Sequence, residues 1–472
     1  MTQYYDIHNH LFNKNFLAKE LLYRMMREMK KFLEVQKDRK LDRGPDRGLK
    51  KVITSLKRYR KALKVFALKD SVAIYEELNR TYKGEFILTP LTFDLTFCFA
   101  PSPDRDAPTA TPGDVARAAF ESEMNEMFSV IEQQTRSLSK ANNRTATEGE
   151  DWIYREYTEE KELFIREAEL FMQPEGVTGT GSGTRSAGNR IPAVLDGWAE
   201  QLRQIEDIKN HHEYKDKVFP FLAVDPRRDK ISEYARENMG KGKLFVGLKL
   251  YCPTGYSPTD PLLYGTDGNR DGLYAFCEDN GIPVTTHNSD GGFATLANSV
   301  FITGDIQVNG KLHQLNNERV KFSKAVYEKD GIYERALTLN HPLLWEKVVQ
   351  KYPGLILNLA HFGGGRQLDA ALTYPDDPTL WSNKIIALLK DNRYKVYTDV
   401  SCFTEFSTID KLIESPVYPE IRHKILFGSD YTLLLLFEDD FNENIRQFRL
   451  RFGSNFDIIA NENPREFLKH VI

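Results

Sequence analysis

The sequence predicts an α/β protein, a distorted (β/α)8 TIM barrel with large helical insertions over its C-terminal face. Eight short apolar segments recur along the chain with helical stretches between them, which is typical of βα units and a parallel sheet. They lie at residues 4–8, 86–91, 218–224, 245–250, 282–287, 355–360, 395–400 and 425–428. Most are apolar throughout, as expected of strands with both faces buried. Several have a histidine or an aspartate within two residues of their end, and the carboxyl ends of barrel strands form the active-site face.

The spacing of these segments is uneven, which predicts one domain over residues 1–472 with insertions rather than a regular barrel. Residues 12–85 and 101–215 are helical in pattern and are expected to form a cap. Residues 291–339 follow the fifth strand as an active-site insertion. Because the loops after barrel strands build over the site, substrate selection is expected to lie in these insertions.

The composition excludes several classes of protein. With 64 basic and 68 acidic side chains and a net charge of −4, neither a nucleic acid nor a membrane surface is expected as a partner. The longest apolar run, at 433–437, is far too short to cross a bilayer. The cysteines are Cys98, Cys252, Cys277 and Cys402. They form no CxxC pair, which favours reduced thiols in a cytoplasmic protein.

The segment at 6–10, Asp-Ile-His-Asn-His, is the most informative in the chain. Alternate side chains of a strand share a face, so His8 and His10 are expected to point the same way. Three further candidate ligands directly follow later apolar runs: His287, His361 and Asp430. Imidazole and carboxylate together suit Zn²⁺, Mn²⁺ or Fe²⁺. The pattern therefore predicts a catalytic metal centre that leaves one position open for water.

Each of these residues also has a simpler interpretation when taken alone. A histidine at a strand end is more often a hydrogen-bonded core residue, and Asp430 could cap the turn that follows it. The recurrence of such residues at matching strand ends favours the metal centre. His341, by contrast, opens a helix before Pro342 and is interpreted as structural.

Lys249 alternates with Leu248 and Leu250 on the fourth strand and shares a face with Tyr251. Facing inward, it could bind a substrate carboxylate or, once carbamylated, bridge two metal ions. The alternative is a lysine that extends outward between strand and helix.

Three more charged residues follow strands. Arg366, after the glycines that follow His361, is a candidate partner for a substrate carboxylate. No helix is expected directly after those glycines. Asp399 and Asp94 are candidates to orient the metal ligands.

These motifs resemble the amidohydrolase superfamily, specifically its amidohydrolase-related (amidohydrolase 2) branch of metal-dependent hydrolases. The resemblance covers the barrel strands and not the insertions. It rests on the segments 6–10, 247–251, 285–287, 358–363, 427–430 and 463–467.

The resemblance implies a distorted (β/α)8 barrel with a divalent metal ion, most often zinc, and one ion rather than two. His8, His10, His287 and Asp430 would be its ligands, and His361 would activate water or polarise the scissile group. If Lys249 is carbamylated, it would bridge a second ion held by His287 and His361. No organic cofactor is expected. The partner is a small-molecule substrate, and a homodimer remains open.

The predicted reaction is hydrolysis of a C–N or C–O bond in an amide, lactone or ester by metal-activated water. Asp430 would accept the proton and His361 would stabilise the oxyanion. The alternative is a lyase, a decarboxylase or hydratase of a small carboxylic acid, with Arg366 or Lys249 holding the carboxylate. Many decarboxylases of the branch carry glutamate where His8 stands, which favours hydrolysis. A third hypothesis is a catalytically silent metal-binding barrel whose cap docks a partner.

Overall fold

A computed structural model describes residues 3–13, 45–98, 128–129, 148–172, 197–266, 269–326 and 328–472. All eight predicted strands are present, and two more follow the fifth. In chain order the strands are β1 (Tyr4–Asn9), β2 (Phe86–Pro90), β3 (Phe221–Ala223), β4 (Gly247–Leu250), β5 (Val284–Ser289), β6 (Ser299–Val308), β7 (Lys311–Lys321), β8 (Leu357–Gly363), β9 (Val396–Asp399) and β10 (Ile425–Leu426).

The eight predicted strands form two parallel sheets. One is β1–β2, and the other has the order β10-β9-β8-β5-β4-β3. Backbone hydrogen bonds link the sheets at both ends: Phe219 N donates to Leu88 O at 2.8 Å, and Asp430 N donates to His8 O at 2.7 Å. Among the described residues the two sheets are not continuous, so a closed barrel is not detected. The α/β class and the mostly parallel sheet are confirmed.

Helices separate most consecutive strands. They are α1 (Pro45–Phe66), α2 (Ser71–Thr81), α3 (Glu148–Met172), α4 (Gly197–Asn210), α5 (Ile231–Asn238), α6 (Pro261–Tyr264), α7 (Leu273–Asn280), α8 (Gly331–Asn340), α9 (Pro342–Lys351), α10 (Gly365–Thr373), α11 (Trp381–Lys390), α12 (Phe406–Glu414), α13 (Tyr418–Ile421), α14 (Phe441–Phe452), α15 (Asn455–Asp457) and α16 (Asn463–Leu468). Shorter 3₁₀ turns cover Cys252–Thr254, Arg422–Lys424 and Leu433–Leu436, and a π-helix covers Ile458–Glu462. Because α10 starts at Gly365, the expectation that no helix follows these glycines was wrong.

The main core lies between the strands and these helices. Leu248 on β4, Val284 on β5 and Leu357 on β8 are fully buried, together with Trp345 on α9. Burying side chains of this size stabilises the fold by about 1.5–3 kcal/mol each. The strands are therefore fixed in place, and so are the side chains that project from their carboxyl ends.

A second core lies over those ends and involves α1 and α3. We call it the cap cluster; its members include Leu56, Tyr59, Leu63, Phe164, Phe93, Tyr251, Phe293 and Leu436. Lys57 pairs with Glu156 at 2.6 Å and Arg60 with Glu160 at 3.1 Å, which ties α1 to α3. Helices α1 to α4 lie inside the insertions predicted at 12–85 and 101–215. The remainder of those insertions, at 14–44, 101–127, 130–147 and 173–196, is outside the described residues.

The insertion at 291–339 contains an antiparallel hairpin, β6–β7, that the sequence did not predict. Only β6 contributes buried apolar residues, among them Ile302 and Ile306, which pack with Leu339 of α8. β7 is polar and mostly exposed, so it carries little of the apolar alternation by which strands are recognised. In the part of the chain that is described, no helix combines the length and apolarity needed to cross a membrane.

Candidate metal centre

His8 and His10 lie at the end of β1 and face Asp430, which follows β10. Asp430 Oδ1 is 3.1 Å from His10 Nε2 and 3.6 Å from His8 Nε2. One ligand atom from each of the three residues lies within 4.8 Å of the others, and all three residues are buried. Gly428 makes this approach possible, because a Cβ there would stand 2.5 Å from the Cβ of His8.

The hydrogen bonds of the two imidazoles fix which nitrogen is bare. His10 Nδ1 lies 2.8 Å from the carbonyl oxygen of Leu91, and His8 Nδ1 lies 3.0 Å from Asp399 Oδ2. Both oxygens only accept, so each Nδ1 carries the proton. Each Nε2 therefore presents a lone pair towards a carboxylate oxygen. His10 Nε2 and Asp430 Oδ1 have no hydrogen-bond partner among the described residues, and a cation between them would satisfy both.

The charge states of these groups suit a metal ion. Burial lowers the pKa of His8 to about 3, although the charge of Asp399 raises it. Burial also lowers the pKa of His10. Burial by itself raises the pKa of Asp430, but its close approach to His10 and His8 outweighs this and leaves that pKa well below its usual value. At neutral pH the set is thus two neutral imidazoles and one carboxylate, the states in which they bind metal.

Asp399, at the end of β9, orients two of the histidines. Its Oδ2 takes hydrogen bonds from His8 Nδ1 at 3.0 Å and from Asn358 Nδ2 at 2.8 Å. Its Oδ1 accepts from the backbone N–H of His361 at 3.0 Å and from the Ser401 hydroxyl. The interpretation of Asp399 as a residue that supports the ligands therefore agrees with its contacts. A carboxylate on the far nitrogen of a metal-binding histidine fixes both its tautomer and its orientation.

His361 lies beside this network. Its Nδ1 is 2.9 Å from the Ser401 hydroxyl, and its ring centre is 4.6 Å from that of His8 and 4.7 Å from that of His287. The backbone there is left-handed, with φ +66° at His361, and the same holds for Asp430 at +57° and Cys402 at +62°. Such conformations are uncommon outside glycine and cluster at functional sites.

His287 lies at the end of β5, where its surroundings differ. Its ring stacks on Tyr251 at 4.2 Å, and its Nε2 lies 2.9 Å from the carbonyl oxygen of Gly291. The Tyr251 hydroxyl in turn accepts from Phe293 N at 2.7 Å. No group of described ligand atoms close enough to share one ion includes His287. It faces the site, but one of its ring nitrogens already has a partner.

Lys249 faces inward from β4, as does Tyr251. Its side chain is 1% exposed, and its Nζ has no hydrogen-bond partner among the described residues. Burial lowers the pKa of Lys249 to about 8, and the carboxylates of Asp399 and Asp430 act in the opposite direction. An amine held there without a partner is costly to the fold, so a role in the site is indicated.

A cavity of about 210 Å³ opens at these strand ends. The predicted residues that line it are His8, His10, Lys249, His287, His361 and Asp430. Its apolar lining comes from Phe93, Phe293, Phe403, Leu433, Leu436 and Phe437. Three of these, Phe93, Phe293 and Leu436, also belong to the cap cluster, so the core under the cap helices forms part of the wall.

Two predicted residues lie away from the cavity. Arg366 is in the first turn of α10 with an exposed side chain, and it is not among the residues that line the cavity. Asp94 is held by Arg228, whose Nε and Nη2 donate at 2.6 and 3.0 Å, and it makes none of the contacts to the ligands that Asp399 makes. His341 accepts a hydrogen bond from Leu343 N and caps α9, in agreement with the structural interpretation.

Two serines and one buried aspartate of the site were missed in the sequence. Asp6 accepts from the Ser429 hydroxyl at 2.6 Å and from the Tyr82 hydroxyl at 2.8 Å, which joins β1 to the segment that carries Asp430. Burial raises the pKa of Asp6 to about 6, and these hydrogen bonds lower it. Ser401 contacts both His8 and His361. Their position in the sequence was the available signal, because each of these residues lies within two positions of a residue that the sequence did predict for the site.

Comparison with known proteins identifies the family. The model described as Amidohydrolase (Amidohydro_2) matches residues 148–467, more than half of the chain, although the match does not include β1. The chain therefore belongs to the amidohydrolase family, as its motifs suggested. Membership implies a TIM-barrel-type α/β fold and supports a metal-dependent activity of the hydrolase or lyase type on small molecules.

Solved structures give weak likenesses of the same kind. They include an amidohydrolase II (13% identity, TM-score 0.31, covering 57% of this chain and 78% of that one). A second is an amidohydrolase from Burkholderia multivorans with bound HEPES (12% identity, TM-score 0.35, covering 58% of this chain and 79% of that one). A third is the apo form of the IDCase of Metarhizium anisopliae (12% identity, TM-score 0.31, covering 58% of this chain and 69% of that one). No curated protein matches the chain significantly.

Proposed function

We propose that this protein is a metal-dependent hydrolase that cleaves a C–N or C–O bond of a small amide, lactone or ester. The observation that carries the proposal is the meeting of bare lone pairs at His8 Nε2, His10 Nε2 and Asp430 Oδ1, which lie 3.1 to 3.6 Å across the gap. Protein groups that only accept repel one another at this distance. A divalent cation turns that repulsion into ligation.

The residues present fit one ion better than two. His8, His10 and Asp430 would hold it, and His287 would be a fourth ligand once its Nε2 leaves the Gly291 carbonyl. Zn²⁺ suits this nitrogen and oxygen set, and Mn²⁺ and Fe²⁺ are alternatives. His8 Nδ1 and both oxygens of Asp399 are already used in hydrogen bonds, which leaves little for a second ion beside His361.

A cation held by His8, His10 and Asp430 would supply Lewis acidity and would lower the pKa of a water molecule in the site towards 7. Asp430 is ionised at neutral pH and accepts the proton of the attacking water, which it then passes to the leaving group. His361, held by Ser401, lies where it can stabilise negative charge that develops on the substrate oxygen. The aromatic wall of the cavity limits access of other water molecules.

A lyase is the second candidate, and one observation favours it. Lys249 is a buried amine without a hydrogen-bond partner in the described chain, and it could hold the carboxylate of an acid that is decarboxylated or hydrated. Arg366 lies outside the cavity and would serve this role only after a movement. We place hydrolysis first because three candidate ligands, of which Asp430 is also the proton acceptor, converge without any rearrangement.

We further propose that the eight parallel strands form one distorted barrel, joined where Asp430 N donates to His8 O. The cap helices and the hairpin insertion at 291–339 would select the substrate, because the cap cluster reaches the cavity wall. The four cysteines are free thiols, which supports a reducing, cytoplasmic location.

Metal removal and reconstitution test the proposal. Protein stripped with a chelator and reloaded with Zn²⁺, Mn²⁺ or Fe²⁺ is offered aryl esters, lactones and anilides in one arm and aromatic and enol acids in the other. We expect one equivalent of metal and metal-dependent release of acid and alcohol or amine. Release of CO₂ alone, or hydration of the enol acids, would favour the lyase. Normal turnover by fully metal-free protein would contradict both.

A further inference from the structure

The turn that carries Asp430 lies outside the helices and strands. β10 ends at Leu426, and the next 3₁₀ turn starts at Leu433. The backbone of Asp430 is left-handed, with φ +57°, which is unfavourable in a residue other than glycine. Among the described residues, no backbone carbonyl accepts from the N–H groups of Ser429 and Tyr431, which flank Asp430. Side chains must therefore hold these two groups.

Asp6 supplies the acceptors on one side of this turn. It is fully buried on β1, two residues before His8. Its Oδ1 accepts from the N–H of Ser429 at 3.0 Å, and its Oδ2 accepts from the Ser429 hydroxyl at 2.6 Å. The residue that precedes Asp430 is therefore held by both oxygens of one carboxylate.

The Ser429 hydroxyl connects the two sides of the turn. It donates its proton to Asp6, and its oxygen accepts from the N–H of Tyr431 at 3.0 Å. Because a hydroxyl can donate and accept at the same time, both bonds can exist together. Asp430 thus lies between two residues that are held by Asp6, one directly and the other through Ser429.

A second hydroxyl donates to the same oxygen of Asp6. Tyr82 reaches Asp6 Oδ2 at 2.8 Å from the C-terminal end of α2, and its ring stacks on Phe86 at 4.0 Å. The two hydroxyls share one acceptor but belong to different parts of the chain. The hydroxyl of Ser429 is in the turn that carries Asp430, and that of Tyr82 is in an insertion.

We propose that Asp6 is a positioning residue of the metal centre, which acts through Ser429 to hold Asp430 within reach of His8 and His10. The proposal rests on the metal centre of the proposed function. The histidines come from the β1–β2 sheet, whereas Asp430 follows the other sheet, so no single sheet sets the distance between them. Asp6 fixes that distance before an ion binds, and binding then does not have to order the turn.

Ser429→Ala and Tyr82→Phe separate the two hydroxyls that donate to Asp6. Each variant removes one hydroxyl and little volume, so both should fold, which thermal unfolding checks. Ser429→Ala should lower the affinity for Zn²⁺ by about 10- to 100-fold, as expected for residues that support a ligand. It should also change the visible spectrum of Co²⁺-loaded protein. Tyr82→Phe should leave the affinity, measured against a coloured chelator, and the spectrum near wild type.

Asp6→Asn tests the carboxylate itself. Each oxygen of Asp6 accepts from Ser429, so the amide nitrogen of the variant faces a donor of Ser429 in either orientation. The loss of Zn²⁺ affinity should match that of Ser429→Ala, and the double variant should lose little more than either. Asp305→Asn is the matched control. Asp305 is also buried and accepts from the Thr259 hydroxyl at 2.8 Å, but it lies in the hairpin insertion, so the affinity should not change.

Hydrogen exchange of the Tyr431 amide measures the turn in metal-free protein. Exchange should become about tenfold faster in Ser429→Ala and Asp6→Asn, in line with the loss of one hydrogen bond, and stay unchanged in Tyr82→Phe. Wild-type affinity and exchange in both Ser429→Ala and Asp6→Asn would overturn the proposal. Equal losses in Ser429→Ala and Tyr82→Phe would overturn it too. A wild-type protein that binds no metal but shows this contrast in exchange would refute the proposed function and leave the role of Asp6 standing.

Discussion

The two sides of the site differ in how complete their hydrogen bonding is. At the ends of β1 and β10, His8, His10 and Asp430 turn bare lone pairs towards one another. The Nδ1 atom of His8 donates to Asp399, and that of His10 donates to the carbonyl oxygen of Leu91. At the end of β5, His287 already uses its Nε2 on the Gly291 carbonyl. The first side is arranged for a cation, and the second must release a hydrogen bond before it can contribute.

The difference shows where the binding energy for a metal ion has to come from. On the β1 side, protein folding has already brought the acceptors together, so ligation relieves an existing repulsion. On the β5 side, each new bond to metal replaces a bond to the backbone, and the net gain is smaller. We therefore expect substitutions on the two sides to have unequal effects.

Asp430→Asn should have the largest effect. The amide cannot accept the proton of water, so turnover should fall by about 10²- to 10⁴-fold or more. Its Nδ2 can donate to His10 Nε2, so the metal-free protein should unfold at the same or a higher temperature. Steady-state kinetics and thermal unfolding measure the two quantities.

Asp369→Asn is the matched control for this change, since Asp369 is an exposed residue of α10 that pairs with Lys411 at the surface. It should leave turnover and stability near wild type. Turnover of Asp430→Asn at the wild-type rate would show that another group accepts the proton.

His10→Asn and His287→Asn compare the two sides directly. Removing His10 should reduce the affinity for metal by more than about 100-fold, because even residues that only support a ligand are worth about 10–100-fold. Removing His287 should reduce the affinity for metal by a smaller factor, because the carbonyl oxygen of Gly291 competes for the same nitrogen. Competition with a coloured chelator measures both affinities. Equal losses would mean that the turn at Gly291 moves at no cost and that the two sides are equivalent.

The sequence predicted the strands and the candidate ligands better than it predicted their contacts. Strand ends follow from apolar runs, so the positions of His8, His10, His287 and Asp430 along the chain were accessible. The orientation of a ring depends on which backbone carbonyl lies nearby, as Gly291 does for His287, and no local pattern encodes that. The hairpin β6–β7 was missed because one of its strands is polar. Arg366 was a candidate for the site, and its exposure on α10 depends on how the helix starts, which the sequence alone did not predict.

Gly292→Ala tests the turn whose Gly291 carbonyl oxygen is hydrogen-bonded to His287 Nε2. An added Cβ would lie 2.2 Å from the Tyr251 hydroxyl and 2.6 Å from His287 Nε2, at a φ of +97° that other residues rarely adopt. The turn must then shift, at a cost of about 1–3 kcal/mol in the free energy of unfolding. Denaturant unfolding and the affinity for metal measure the consequence.

Gly291→Ala is the control one residue earlier, because its Cβ would meet only Ser289 Oγ at 3.9 Å. That variant should behave like wild type. If both alanine variants are equally stable and bind metal equally well, the turn does not restrain His287, and the contrast between the two sides is weaker than its hydrogen bonds suggest.

The smallest expected effect is on the pH dependence of stability. It concerns His341, a buried histidine that lies on neither side of the site. Burial lowers its pKa to about 4, whereas an unfolded histidine titrates near 6.5. Between these values the unfolded chain binds a proton that the folded protein does not, so stability falls as pH decreases from about 6.5 to 4. His341→Asn retains a side chain that can cap α9 but does not titrate. It should remove about 1–3 kcal/mol of the loss in unfolding free energy across that window, measured by denaturant unfolding at each pH. An unchanged slope would show that His341 is already protonated in the folded protein.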